Sequence, residues 1–289
     1  MTVEGDDTGL QAAAEDAFSA LSDETRLQIL LELAEVANER GLGEGLTFSA
    51  LRERVGVADS GRFNYHLDRL DGRFIGKDGD EYIALFPGLA VVAAVYAGAY
   101  TGDRTEHRTD SPWSCPACDR QLELRYEQHQ FLLWCDEHDT VLGFPAPSGA
   151  LSPRTLDEVA DVVVVRALSN INLARQGICP RCWGVTSIDY PSSLANPPLE
   201  HLVGVDLSCE RCWLRYPTTL QVLVTSHPAV RGLYEEQGLD LAEALLGTLT
   251  TREQSVCRVE LDETEPVRAT ATVDLGGTRL ELELDETAD

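Results

Sequence analysis

The sequence predicts an α+β protein with a helical N-terminal domain and a cysteine-rich C-terminal half. Three observations carry this prediction. Apolar residues recur with helical spacing over the first hundred residues, two sets of paired cysteines follow, and apolar and polar residues alternate near the C-terminus. The chain has 289 residues, 43% of them hydrophobic, which is enough for about two domains with a real core. A wholly disordered chain is therefore excluded.

Helical spacing is clearest near residue 30. Leu27, Leu30, Leu31 and Ala34 share one helix face, and Ser22 is the expected N-cap of that helix. A shorter helix is predicted before it over 12–20, and two more are predicted after it. Glycines separate these segments, and the two later helices span 49–55 and 60–70.

A β-hairpin is predicted directly after the helix over 60–70. Residues 74–77 and 81–85 flank an Asp78-Gly79 turn, a strong hairpin signal. Two short helices, a tight turn and a hairpin together make a winged helix-turn-helix pattern. Pro87 then opens an apolar helix over 89–100, whose apolar residues run nearly all round. This helix is predicted to be buried at a dimer or domain interface.

The rest of the chain divides into three predicted parts after a winged helix-turn-helix domain over 1–102. They are a first zinc ribbon over 103–150, a connecting helix over 151–176, and a second zinc ribbon over 177–289 that includes a helical segment over 228–249 and a C-terminal hairpin. With Gly276-Gly277 as the hairpin loop, three apolar pairs face each other on one side: Val273 and Leu280, Ala271 and Leu282, Ala269 and Leu284.

The cysteine spacing predicts two metal sites. Each site combines two short motifs that place two ligands on one tight turn, and four ligands complete a tetrahedral zinc site. With no open coordination position, the two zinc ions are expected to be structural. Iron–sulfur ligation of the second set, a redox dithiol role and unmetallated thiols are the alternatives. The two ligand sets are Cys115, Cys118, Cys135 and His138, and Cys179, Cys182, Cys209 and Cys212.

Other residues near these motifs are expected to be structural. Cys257 is the eighth cysteine and is interpreted as a small buried hydrophobic residue. All four tryptophans flank ligand pairs and are predicted to pack against the metal loops, with a platform for stacking nucleic bases as the alternative. These tryptophans are Trp113, Trp134, Trp183 and Trp213.

The predicted helix over 60–70 has a face suited to reading DNA. On a helical wheel, Phe63, Leu67 and Leu70 form the buried side, and Arg62, Tyr65 and Arg69 lie opposite. Guanidinium groups beside a phenol suit base-edge and phosphate contacts in a major groove. His66 lies at the border and is expected to be packed. The candidate DNA-binding residues are Arg52, Arg62, Asn64, Tyr65, Arg69 and Lys77.

The charge is unusual for a DNA-binding protein. Asp and Glu number 49 against 23 for Lys and Arg, a formal charge of −26, which repels DNA and anionic membranes unless it is locally reversed. Residues 49–77 reverse it, with six basic and four acidic residues. Lys77 is the only lysine, and this composition resembles that of proteins from extreme halophiles, whose molar salt screens such charge. Without an evident signal peptide or membrane segment, a cytoplasmic location is predicted.

Two segments resemble a known family. Ala20-Leu21-Ser22-Asp23-Glu24-Thr25-Arg26-Leu27-Gln28-Ile29-Leu30 resembles the opening helix of ArsR-like winged-helix regulators, and Phe63-Asn64-Tyr65-His66-Leu67-Asp68-Arg69-Leu70 resembles their recognition helix. The resemblance implies binding to operator DNA as a homodimer. Residues 1–110 contain no cysteine, so the metal sensing of some members is not carried over. The cysteine-rich remainder resembles the C-terminal regions of haloarchaeal winged-helix regulators, which implies no known effector.

These patterns predict a sequence-specific transcription regulator that binds double-stranded DNA and carries two structural zinc ions. A zinc-stabilised adaptor that binds proteins without reading DNA is the alternative. An enzyme is not expected, because the sequence shows no glycine-rich phosphate loop, nucleophile elbow or open metal site. The sequence does not indicate the operator, the direction of regulation or a small-molecule effector.

Overall fold

The computed structural model describes residues 7–100, 106–192, 197–200, 202–212, 214–250, 256–262 and 268–285. The chain is a mixed α+β protein with several small antiparallel sheets. It divides into two compact units, Met1–Thr101 and Gly102–Asp289. None of the helices among the described residues combines the length and the apolar character needed to cross a bilayer.

The first unit contains five helices and three short strands among its described residues. The strands form one antiparallel sheet in the order β1-β3-β2. The elements are α1 (Asp7–Leu21), α2 (Glu24–Arg40), β1 (Leu46–Thr47), α3 (Phe48–Val55), α4 (Ser60–Leu70), β2 (Ile75–Asp78), β3 (Glu81–Ala84) and α5 (Phe86–Tyr96).

Capping residues set the helix boundaries of this unit. The predicted N-cap of α2 is wrong by one residue: Asp23, not Ser22, accepts a hydrogen bond from the Arg26 backbone N–H at 3.2 Å. The Ser22 hydroxyl instead donates to the Ser19 carbonyl at the end of α1. Helix α3 ends at Gly56, whose φ of 76° lies in the left-handed region that favours glycine.

Helix α5 starts and ends earlier than predicted. Pro87 lies in its first turn, where a missing N–H costs nothing. Gly88 follows because a Cβ there would lie 2.3 Å from the Phe74 carbonyl oxygen. Within the unit, Gly88 and Val92 are buried, whereas Phe86 and Tyr96 are 78% and 72% exposed. An apolar helix therefore covers the core with one side and leaves aromatic side chains on the other.

The second unit combines three antiparallel sheets with four α-helices among its described residues. The sheet orders are β4-β5-β6-β7, β10-β9-β8 and β11-β12-β13. The elements are β4 (His107–Ser114), β5 (Gln121–Glu127), β6 (Gln130–Cys135), β7 (Asp139–Pro145), α6 (Leu156–Arg175), β8 (Thr186–Ser192), β9 (Gly204–Cys209), β10 (Arg215–Thr219), α7 (Leu220–Ser226), α8 (Pro228–Glu236), α9 (Leu241–Thr250), β11 (Cys257–Asp262), β12 (Arg268–Leu275) and β13 (Thr278–Asp285).

Helix α6 lies at the centre of this unit. Thr155 and Glu158 form a capping box at its N-terminus. The helix packs against α7 and α9 and against strands of both cysteine-bearing sheets, so one hydrophobic core extends through the unit. Its buried residues are Leu156, Val159, Ala160, Val163, Val164, Ala167, Leu168, Ile171 and Ala174.

The region after β10 is more helical than the sequence indicates. Helix α7 was not predicted, because all seven of its residues are buried and its run of apolar and β-branched residues has no amphipathic period. The single helical segment predicted over 228–249 is two helices, α8 and α9. Gly238, with a φ of 66°, lies in the turn between them.

The C-terminal hairpin has the predicted register. Val273 pairs with Leu280, Ala271 with Leu282 and Ala269 with Leu284 around the Gly276-Gly277 turn. Strand β11 adds a third strand against β12 and places Cys257 opposite Val273. Cys257 is 2% exposed, which confirms its interpretation as a small buried residue, and burial raises the pKa of its thiol to about 11.

Helix α8 carries a pH-sensitive N-cap at His227. The imidazole Nδ1 accepts a hydrogen bond from the Ala229 backbone N–H at 3.3 Å, which requires a neutral ring. Burial, together with the charge of Arg175, lowers the pKa of His227. The folded state therefore favours the neutral form, and this contribution to stability is lost as the pH falls below about 6.5.

Replacing His227 with Asn tests this cap, because Asn caps helices without titrating. Between pH 7.5 and pH 5.5 we expect the free energy of unfolding of the wild type to fall relative to that of His227→Asn by about 0.5–1 kcal/mol. This is the lower part of the usual N-cap contribution, because the ring is half exposed and water screens its charge. Thermal melts of both proteins at the two pH values measure the difference. A constant difference would contradict the proposed cap.

Candidate metal centres and candidate nucleic-acid face

The first cluster gathers ligands from two turns of the β4–β7 sheet. Cys115 and Cys118 lie in the turn between β4 and β5, Cys135 ends β6, and His138 lies in the turn before β7. The Cys118 and Cys135 Sγ atoms are 3.6 Å apart. The His138 Nδ1 atom lies 3.6 Å from the Cys115 Sγ and 3.7 Å from the Cys135 Sγ.

The second cluster has the same arrangement with four sulfurs. The Sγ atoms of Cys179 and Cys212 are 3.8 Å apart, and those of Cys182 and Cys209 are 3.6 Å apart. In each Cys-x-Arg-Cys segment the backbone N–H of the arginine, Arg181 or Arg211, donates a hydrogen bond to the Sγ atom of the first cysteine at 3.4 Å. The repeated Cys-x-Arg-Cys segments therefore fold into two copies of one turn.

The separations fit a tetrahedral metal ion better than disulfides. A disulfide has sulfurs about 2.05 Å apart, and all eight cysteines are free. A metal–sulfur bond of about 2.3 Å gives a tetrahedral S···S edge of about 3.8 Å, and with a metal–nitrogen bond of about 2.05 Å the S···N edge is about 3.6 Å. The ligand atoms of each cluster all lie within 4.8 Å of one another. Both predicted ligand sets are thus brought together and are compatible with two structural metal sites.

Each cluster contains one thiol that loses its proton readily. Burial raises the pKa of Cys135, but hydrogen bonds from His138 and from the backbone of Glu137 and His138 outweigh it and lower the pKa to about 7. At Cys209 burial is likewise outweighed, chiefly by backbone N–H groups of Cys212 and Arg211, and the pKa falls to about 7. Metals bind thiolates, so both sites present a ready ligand near neutral pH.

The tryptophans do not all pack as predicted. Trp113 and Trp134 are half-buried, and the Arg125 guanidinium lies 4.3 Å above the Trp134 ring. Trp183 is 83% exposed, with a φ of 59° in the turn after Cys182, so the packing prediction is wrong for this residue. Trp213 lies outside the described residues.

Helix α4 has the two predicted faces. Phe63, Leu67 and Leu70 are fully buried in the core of the first unit. His66 is 4% exposed, with its Nδ1 atom 3.3 Å from the Asp23 carboxylate, so it is packed as expected. The solvent side carries Arg62, Asn64, Tyr65 and Arg69, all of them exposed.

The exposed candidates differ in what already contacts them. The Asn64 amide donates to Asp68 at 3.0 Å, and the Arg69 guanidinium lies 3.8 Å from Asp16 on α1. Tyr65 is 57% exposed. Within the part of the chain that the structure describes, Arg62 has no ion-pair partner. This helix face therefore presents one unpaired cation beside an exposed phenol.

Two other predicted DNA-binding residues lie over aromatic rings. The Arg52 guanidinium lies 5.8 Å from the centre of the Phe48 ring, and the Lys77 ammonium lies 5.4 Å from the centre of the Tyr82 ring. Arg73, which is not among the predicted DNA-binding residues, pairs with Asp16 at 2.9 Å beside Arg69. The positive stretch 49–77 contains Arg73 and is the sequence feature that indicates it as a candidate. Its contact with Asp16 on α1, in contrast, depends on tertiary packing.

Two family models match the chain. One, described as a domain of unknown function (DUF7351), matches residues 112–289, and the other, described as a domain of unknown function (DUF7347), matches residues 14–95. Each match lies within one of the two compact units. No curated protein and no solved structure matches the chain.

Proposed function

The chain belongs to the DUF7351 family through residues 112–289, and we propose that it is a sequence-specific DNA-binding transcription regulator that holds two structural zinc ions in this region. In this proposal the first unit is an ArsR-like winged helix-turn-helix. Helix α4 reads the major groove, and the β2–β3 hairpin is the wing. The double-stranded DNA partner is bound by a homodimer.

The observation that carries the proposal is the division of α4 into a buried and a basic side. A recognition helix needs apolar residues that fix it to its domain and exposed donors that reach base edges. Phe63 and Leu67 meet the first need, and Arg62 and Tyr65 meet the second. An unpaired guanidinium pays no cost of breaking an ion pair when it meets a guanine or a phosphate, so Arg62 is the strongest candidate contact.

The distribution of charge favours α4 as the element that contacts DNA, and it also limits the affinity for DNA. The whole chain carries −26, so DNA approaches favourably only where cations are concentrated. Arg69 and Arg73 share Asp16, which offsets part of their charge. A phosphate would compete with this carboxylate. We therefore infer that Asp16 weakens DNA binding and that this weakening becomes smaller as the salt concentration rises.

The homodimer is supported by the outer side of α5. Phe86 and Tyr96 are large aromatic residues left exposed in a single chain, on a helix with no charged residue. Exposed apolar surface of this kind commonly marks a protein interface. Two copies would present two α4 helices, which suits a palindromic site with half-sites about one DNA turn apart.

Zinc is the metal that the donor sets favour. Three sulfurs with one imidazole nitrogen, and four sulfurs, are the usual ligands of structural zinc. An iron–sulfur cluster places several iron atoms between its cysteines. The sulfur atoms of those cysteines are therefore further apart than four sulfurs that surround a single ion. Four protein ligands leave no position for a reacting water, so we assign both ions a structural role.

Selection of bound fragments from genomic DNA tests the proposal. The purified protein is incubated with the library in molar potassium chloride, and the double variant Arg62→Ala/Tyr65→Ala is the control. Enrichment of a common palindromic sequence by the wild type alone supports a DNA-reading regulator. Failure of the folded, metal-loaded protein to enrich any sequence would contradict it.

Single substitutions should then separate the roles of the basic residues. Arg62→Ala is expected to weaken binding to the selected sequence roughly tenfold to a hundredfold, the loss of one good base contact. Asp16→Asn is expected to tighten binding, because Arg69 and Arg73 lose their competing carboxylate. Fluorescence anisotropy at several salt concentrations measures both. Arg108→Ala, an exposed arginine of the other unit, should leave affinity unchanged; equal losses for Arg62 and Arg108 would refute the site.

Exposed apolar residues on the second cysteine cluster favour one alternative, a protein-binding adaptor. Trp183 and Val185 are 83% and 59% exposed, and Ile178, which pairs with Val185, is 40% exposed. Such a patch beside a rigid metal site suits a protein partner. Co-purification of one stable partner that is lost in Trp183→Ala, without enriched DNA, would favour the adaptor over the regulator.

A further inference from the structure

A cavity of about 690 Å³ opens inside the unit Gly102–Asp289. It lies where strand β7 approaches strand β10. Among the described strands, β7 is at the edge of the first cysteine-bearing sheet and β10 is at the edge of the second. Helices α6, α7 and α9 complete the wall through Ala167, Val222 and Leu249, all of them buried. The cavity therefore reaches from the two sheet edges to the core.

Its volume is typical of a ligand site. Small-molecule pockets in proteins commonly measure about 300–1,000 Å³, and they are mostly apolar with a few directed polar groups. Protein interiors otherwise leave few voids larger than a water molecule. A space of this size between well-packed elements is thus more than a packing defect.

The side chains around the cavity are mainly apolar. Leu142 and Phe144 come from β7, Tyr216 and Pro217 from β10, and Leu245 from α9. The aromatic rings suit flat or aliphatic ligand surfaces by dispersion and stacking. This wall would bind the larger part of a ligand by its apolar surface.

Polar residues form the smaller part of the wall, and most of them are uncharged. Gln130, Thr140, Thr218 and Thr219 line it together with Tyr216, and the Thr219 hydroxyl also caps α7 by accepting a hydrogen bond from the Val222 N–H at 3.3 Å. Burial raises the pKa of Tyr216 to about 12, so this hydroxyl stays protonated and can donate a hydrogen bond. These groups suit a carbonyl, ether or hydroxyl on the ligand.

The charges at the cavity do not favour an anion. Arg215, which lines the cavity, is ion-paired with Asp206. Asp139 adds a carboxylate to the wall. An anionic ligand would have to displace Asp206 and approach Asp139, whereas an uncharged ligand meets neither cost.

We propose that this cavity binds an uncharged, largely apolar small molecule that carries a hydrogen-bonding group. This would add a small-molecule site to a protein whose proposed role is regulatory. The wall includes His138, a ligand of the first metal cluster, so the metal would help to shape the site. The binding itself is independent of DNA, and it can be tested whether or not the proposed function holds.

The probe pair N-phenyl-1-naphthylamine and 1-anilinonaphthalene-8-sulfonate tests the proposal, because the two share one ring system and differ by a sulfonate. We expect the uncharged probe to show a saturable increase in fluorescence with one site per chain, and the sulfonate to bind at least about tenfold more weakly. No saturable binding of the uncharged probe would overturn the site. Equal affinities would overturn its preference for uncharged ligands.

Substitutions locate the probe. Ala167→Phe and Leu142→Trp, which fill the cavity from α6 and from β7, are each expected to weaken binding at least tenfold. Val165→Phe places the same phenyl side chain at an exposed position of α6 and should leave binding unchanged. Circular dichroism and metal content show which variants are folded. Because Leu142 is only half-buried, a folded variant is expected even where Ala167→Phe fails, and unchanged binding in folded Leu142→Trp would overturn the proposal.

Discussion

Removing the metals from both cysteine clusters is expected to unfold the tertiary structure of Gly102–Asp289. Structural zinc contributes on the order of 10 kcal/mol per site in small domains, comparable with the whole stability of a typical protein. Cys115, Cys135 and Cys179 are fully buried, so a metal-free cluster would leave close-packed thiols that repel one another once ionised. All four tryptophans lie in this unit, so their fluorescence reports its unfolding directly.

The measurement combines metal analysis with tryptophan fluorescence during titration with a strong chelator. The untreated protein should hold about two zinc ions per chain. Cys118→Ser and Cys182→Ser should each lose about one, since they alter different clusters. Cys257→Ser is the matched control, because Cys257 is buried but belongs to neither cluster. Metal loss without a change in the fluorescence or in the melting temperature would contradict a structural role.

Truncation of Phe63 to Ala is expected to destabilise the first unit by about 3–5 kcal/mol, the usual cost of removing a buried aromatic ring. The ring is fully buried on α4, and its centre lies 5.3 Å from that of Phe48 in an edge-to-face contact. The variant would lose contacts with α3 and leave a cavity beneath α4. DNA binding should fall with it, through loss of the fold that holds α4.

Tyr65→Ala is the matched control on the same helix. Tyr65 is 57% exposed, so its removal should change stability by no more than about 0.5 kcal/mol. If α4 reads DNA, this variant should bind DNA more weakly while folding normally. Urea unfolding followed by far-UV circular dichroism, with hydrogen exchange of peptides from α4, measures both variants. Equal stability of Phe63→Ala and the wild type would show that α4 does not depend on its buried face.

Local sequence rules determined several parts of this protein. The paired ligands from Cys115 to Cys212 predicted both clusters, because short spacings place two ligands on one turn wherever that turn lies. The register of the C-terminal hairpin followed from the Gly276-Gly277 loop and alternation with a period of two. The faces of α4 followed from the 3.6-residue period. The ligand pairs, the hairpin loop and the helix faces are each set by near neighbours in sequence, so they can be predicted without the rest of the fold.

Only the tertiary structure decided the features that depend on distant contacts. Helix α7 is buried on all sides and has no period to reveal it. Trp183 is exposed because no other part of the described structure covers it, and the pairing of Asp16 with Arg69 depends on how α1 packs. The cavity between β7 and β10 arises because two sheets far apart in sequence meet around α6. Packing between elements that are distant in sequence determines which residues are buried and where cavities remain. The periodicity of a single sequence does not reveal this packing.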